Sequence, residues 1–255
     1  EYPGGMDKNT NCILCTECIK TCPPDNMTLN VRPFFTDISR GYRGRYDEAI
    51  LAMTLLGLTI YHGFTMLPVW FSWALDTIKT NYTLYISVFT LLLVAFVVVP
   101  IGLHYLVAWL ARTLSGSREV PLRKVFVQYA YAFLPVAFFY HLAHNISHLN
   151  MEGLKIVPVL SDPFGWGWNL FGTAGMKTST VMGMATVKDV QLAFILIGLV
   201  VGIFLAYRLS LGLYTDRGRA IRAMLPVAAA VLGYSYVNML ALILPMVMRT
   251  VSYFN

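Results

Sequence analysis

The chain alternates long apolar runs with short polar connections. Five runs stand out, each near the roughly 20 residues a helix needs to cross the hydrocarbon core of a bilayer. They cover about 48–75, 82–110, 125–149, 190–214 and 220–248. Pro100, Pro135, Pro226 and Pro245 fall inside these runs. Membrane helices tolerate proline, usually as a kink, because neighbouring groups re-satisfy the freed backbone. The pattern predicts an all-α polytopic membrane protein of about five transmembrane helices, spanning residues 47–255. A long connection, 150–189, joins the third and fourth helices. Connections of that length without regular structure are usually functional or mobile. Trp166 and Trp168 within it suit an interfacial aromatic belt.

Composition agrees with this reading. Hydrophobic residues make up 57% of the chain and charged residues 13%, against roughly 25% charged in soluble domains. Mean hydropathy is +0.61. The net charge of +6 does not point to nucleic acid, because the basic residues flank apolar runs and suit a membrane surface. Fourteen Lys and Arg, from Lys8 to Arg45, Arg112 to Lys124 and Arg208 to Arg222, lie on the side of the N-terminus. Five, Lys79, Lys155, Lys177, Lys188 and Arg249, lie on the other. The positive-inside rule then places the N-terminal segment in the cytoplasm and the C-terminus outside, in the inner (cytoplasmic) membrane. The chain opens on Glu1 without a signal peptide, and is expected to be processed or part of a longer protein.

Residues 1–46 differ in kind. They are polar and hold all four cysteines in the run Cys12-Ile13-Leu14-Cys15-Thr16-Glu17-Cys18-Ile19-Lys20-Thr21-Cys22-Pro23. Gaps of two, two and three residues followed by proline form the bacterial ferredoxin run for a [4Fe–4S] cluster. Each two-residue gap can return a thiolate sulfur to the same centre. A zinc site usually splits its ligands into two separated pairs, and a reducing cytoplasm disfavours disulfides. In two-cluster ferredoxins the last cysteine of the run serves the other cluster. Cys12, Cys15, Cys18 and Cys22 therefore hold one cluster, or share two with ligands from elsewhere. Met27 to Val31 alternates like a short strand.

Inside the apolar runs, His141, His144 and His148 are spaced three and four apart, on one side of the third helix. His62 falls at a similar depth in the first. Ionisable groups in a membrane are costly and face the bundle interior or a cavity. Four histidines so placed could ligate b-type haem or another metal, line a quinone or proton site, or bond across helices. His104, in the inner half of the second run, reads as a packing or inner-site residue. No hydrolase triad, phosphate-binding glycine loop or zinc-protease motif is present.

The cysteine run, with Asp25-Asn26-Met27-Thr28-Leu29-Asn30-Val31-Arg32-Pro33-Phe34 after it, resembles the C-terminal part of membrane-bound polyferredoxin-type proteins. These are relatives of the NapH/NosR iron–sulfur proteins of nitrate and nitrous-oxide respiration and the FesM-like membrane ferredoxins. The similarity is specific over about residues 1–50 and general over the helices. It implies electron transfer between the quinone pool and a partner redox subunit, as a component of an oxidoreductase complex rather than a stand-alone enzyme. Only Cys12, Cys15, Cys18 and Cys22 carry over, and the histidine stripe is not a motif of that family. Other readings of the chain are a scaffold subunit of a larger redox or photosynthetic complex with a structural cluster, and a transporter or regulator with a redox-sensing head.

Overall fold

The computed structural model describes residues 12–24, 26–28, 31–40 and 44–244. The chain divides into two compact units, residues 1–36 and 37–255. Among the described residues the secondary structure is helical, and five helical stretches are long and apolar enough to cross a membrane. This is the architecture of a multi-pass membrane protein. In the first unit, α1 (Glu17–Lys20) is a single turn, and α2 (Thr36–Ser39) follows at the boundary. The strand expected over 27–31 falls partly outside the described residues, and Met27, Thr28 and Val31 have no regular structure.

The second unit begins with α3 (Tyr46–Thr65), α4 (Pro68–Thr80) and α5 (Tyr82–Leu114). The first apolar run is therefore not one helix over 48–75. Pro68 explains the division. A residue before proline is pushed out of the helical region, and Leu67 is extended at φ −72°, ψ 141°. The Met66 and Leu67 amides close α3 with tight bonds to the Gly63 and Phe64 carbonyls (3.2 and 3.1 Å). Pro68 then takes the first position of α4, where no amide donor is needed. The Asn81 side chain caps α5 by accepting from the Leu84 amide (3.0 Å).

Pro100 leaves α5 continuous but has no N–H to offer the Phe96 carbonyl one turn back. That carbonyl abuts Gly57 of α3, and a methyl at Gly57 would overlap its oxygen. Around this close approach the Tyr61 ring packs on Phe89 and Phe96, at 5.5 and 5.3 Å between centroids. Its hydroxyl donates to the Phe89 carbonyl (3.0 Å).

The third run comprises α6 (Leu122–Ala130), a 3-10 turn (Tyr131–Phe133), α7 (Leu134–Glu152), a second 3-10 turn (Gly153–Lys155) and α8 (Ile156–Ser161). Pro135 lacks the amide that would bond Tyr131, and the Leu134 amide bonds that carbonyl instead, tightening the turn. α9 (Met184–Leu213) and α10 (Arg217–Ile243) complete the bundle. The Asp216 carboxylate caps α10 by accepting from the Arg219 amide (2.8 Å). α7 and α9 cross at Gly198 and Gly202, where an added methyl would meet the Pro135 and Ala132 carbonyls at 3.1 Å each. Small residues four apart let membrane helices approach this closely. Buried polar bonds hold α9 to α6 and to α7. Tyr129 Oη pairs with Ser210 Oγ (2.6 Å), and Gln191 Nε2 donates to the Ala143 carbonyl (2.9 Å).

The apolar side chains left exposed on these helices, such as Leu91 and Val98 of α5 and Val200 of α9, form the surface for lipid tails. The connection between α8 and α9 is ordered by its own polar groups. The Asp162 carboxylate accepts from the Trp166 and Gly167 amides (2.9 Å each). Both amide atoms of the Asn150 side chain bond the Met182 backbone (3.0 and 2.6 Å). Phe164 stacks on Trp166, and Trp168 meets both edge to face, with centroids 4.9 to 5.6 Å apart.

Candidate functional site

The two groups of candidate residues lie in different units. In the first unit, Leu14 and Thr16 hold left-handed backbone at φ 55° and 64°, unusual for side chains of their size. They turn the chain sharply on either side of Cys15. α1 then begins, with the Ile19 and Lys20 amides bonded to the Thr16 carbonyl (3.0 and 3.2 Å). Cys18 sits in this turn and Cys22 follows it. All four cysteines are free thiols, with Cys12 and Cys15 exposed and Cys18 and Cys22 half-exposed.

Among the described residues, no three His, Cys, Asp or Glu side chains are gathered as a metal site. The donor set nevertheless fits an iron–sulfur cluster in its chemistry: four soft thiols in one run, none consumed by a disulfide. The spacing of these residues supports that cofactor, and their present arrangement does not enclose it.

In the second unit, α3 and α7 bring His62 and His144 into edge-to-face contact, 5.0 Å between ring centroids. His148, one turn further along α7, lies 5.2 Å from His144. The His148 Nδ1 is 4.0 Å from Glu152 Oε2. His144 is 3% exposed. His141 departs from the expected stripe. It is exposed, with Asn145 Nδ2 3.3 and 3.4 Å from its ring nitrogens and donating to its carbonyl (2.8 Å). Helical spacing put the three histidines within one stripe, and packing buries only part of that stripe's width. The contact sets the His62 and His144 rings directly against each other. His104 is a packing residue, 2% exposed, with Nε2 donating to the Phe126 carbonyl (2.9 Å).

Three residues absent from the sequence-based set belong here. The Tyr140 ring lies one turn from His144, at 6.1 Å, and its hydroxyl approaches Gly63, the neighbour of His62. Ser235 and Asn238 are buried on α10. Their signal in the sequence was polar side chains three apart in an apolar run, and a tyrosine four before a histidine. Both nitrogens of His144, the Tyr140 hydroxyl, Ser235 Oγ and Asn238 Nδ2 are buried without a hydrogen-bond partner among the described residues. A buried polar atom left alone is rare, so α7 and α10 each carry unmet bonding capacity at these positions. No protein-family model matches this chain, and no curated protein and no solved structure matches it.

Proposed function

We propose that this is an integral membrane electron-transfer protein whose N-terminal segment carries a [4Fe–4S] cluster on Cys12, Cys15, Cys18 and Cys22. The cysteine spacing is the single observation that carries the reading. A cluster so ligated supplies one-electron redox chemistry. The chain's own part is to offer four thiolates and to wrap them by the left-handed turns at Leu14 and Thr16. Exchange is with the quinone pool or a partner redox subunit of a respiratory-type complex. The segment stands on the cytoplasmic side, following the bias of Lys and Arg. Arg32, Arg40 and Arg43 precede the first membrane helix and supply positive charge for anionic headgroups or an acidic redox partner. Arg45 has a local partner, the Asp47 carboxylate at 2.6 Å.

The test is metal and sulfide analysis of anaerobically purified protein, with low-temperature EPR after dithionite. The expected result is about four iron and four sulfide per chain and a reducible signal that Cys15→Ser diminishes. Zinc alone, or no metal, overturns the proposal. A cluster that neither quinol nor a redox partner reduces or oxidises would favour a scaffold role.

A further inference from the structure

The geometry points to a water-filled inlet in the membrane unit, through which protons reach a buried His144–Tyr140 site from the surface at His148 and Glu152. The inference does not depend on the cluster.

An imidazole always carries at least one N–H, and its other nitrogen accepts when the ring is neutral. His144 has both nitrogens buried and neither bonded among the described residues. The Tyr140 hydroxyl, one turn away on the same face of α7, is in the same condition. Groups of this kind in a protein interior are ordinarily completed by ordered water, which needs two to four polar partners. Two ring nitrogens and a hydroxyl, beside the His62 ring, supply them.

The site has a polar exit. One turn along α7, His148 lies 5.2 Å from His144 and is followed by Glu152. Their side chains are 28% and 38% exposed, so the line of polar groups runs from the buried ring to the surface. Imidazole suits this task because it can accept a proton at one nitrogen and release one at the other.

In the opposite direction the polar groups continue as far as the Tyr234 hydroxyl, buried and unpartnered among the described residues, and then stop. α7 and α10 run parallel: Phe133 packs on Tyr234, and seven residues later Tyr140 and Ala241 both approach Gly63. Asn238 and Ser235 therefore lie between those levels, with their unpartnered polar atoms. Below them stand Phe133, Val231 and Val227, all fully buried. The inlet is thus a half-channel closed by an apolar plug, which admits protons from one face without short-circuiting the membrane.

Hydrogen–deuterium exchange at the histidine ring C2 position, read by mass spectrometry on the full chain in lipid nanodiscs, tests this. The ring hydrogen exchanges only where water reaches it. The five histidines are His62, His104, His141, His144 and His148. His104 is as buried as His144 and has its Nδ1 unpartnered among the described residues, but its Nε2 is bonded to the Phe126 carbonyl and its ring is packed on Phe126 and Phe133; it is the internal control. His144 is expected to exchange at least about tenfold faster than His104. In His148→Leu, the His144 rate is expected to fall about tenfold with His104 unchanged. A wild-type His144 as slow as His104 overturns the inlet. So does a His104 as fast as His144, which would report general opening. An unchanged His144 rate in His148→Leu overturns the route through His148.

Discussion

The crossing of α3 and α5 at Gly57 makes a quantitative prediction. A methyl placed on Gly57 would overlap the Phe96 carbonyl oxygen and lie 3.0 Å from that carbonyl's carbon and 3.1 Å from Pro100 Cγ. None of these is the free end of a flexible side chain. Two are backbone and one belongs to a ring that closes on it, so relief requires the helices to separate. Separation loosens the contacts of Tyr61 with Phe89 and Phe96 and of Phe64 with Phe96, each worth about 0.5–1.5 kcal/mol beyond burial. Overpacking a well-filled core costs about 1–3 kcal/mol, and the backbone contact puts Gly57→Ala at the upper end, about 3 kcal/mol. For a unit of this size each kcal/mol moves the melting temperature by about 2–4 °C. Gly57→Ala should therefore melt about 6–12 °C below wild type in dodecyl maltoside, followed by far-ultraviolet circular dichroism. Gly102, also on α5, has nothing within 4 Å of an added methyl. Gly102→Ala should be neutral or stabilising by up to about 1 kcal/mol, the usual helical advantage of alanine. Equal losses in the two variants, or a Gly57→Ala melt indistinguishable from wild type, would refute the account of the crossing.

Three further outcomes are expected. Ser210→Ala strands the Tyr129 hydroxyl and should cost about 1 kcal/mol, in the range of interhelical bonds in membranes; pairing it with Tyr129→Phe should cost less than the two single losses summed, measured by the same melts. Asn150→Leu removes both bonds to the Met182 backbone and should raise trypsin cleavage at exposed Lys177 by about tenfold, since each bond is worth about 1 kcal/mol; an unchanged cleavage rate would show that the connection is held by its other contacts. Gly202→Val places bulk against the Ala132 carbonyl and Val231 and should lower the melting temperature by several degrees, with a cost of about 1–3 kcal/mol; a wild-type melt would mean α7 and α9 do not cross there in solution.

The five membrane helices were legible because run length is a direct response to the thickness of the hydrocarbon layer. Their interruptions were less so. Pro68 signals the division at Leu67 as plainly as any residue can, yet the apolar run continues across it and masks the break. Gly198 and Gly202 carry a spacing typical of close helix contacts, but a pair of glycines does not say which helix they meet. The depth shared by His62 and His144 was readable from counting along two helices. The exposure of His141 was not, because a stripe at three and four residues has width and only packing shows which edge is covered. Asn238 and Ser235 were overlooked because small polar residues are common in membrane helices and mostly bond locally. At Cys12 to Cys22 the spacing declares a chemistry, while the path of the loop depends on what the thiols hold.

The lengths of the helices carry a consequence for the surrounding lipid. At about 1.5 Å per residue, the 33 residues of α5 reach roughly 50 Å, whereas the 20 residues of α3 just match a hydrocarbon slab of about 30 Å. A bilayer that α3 matches is shorter than α5, which reaches past the hydrocarbon or leans about the contact at Gly57. The longer apolar span of α5 is thus the part of the bundle whose fit to the lipid changes most with acyl-chain length, while its contact with α3 at Gly57 fixes where the two helices meet.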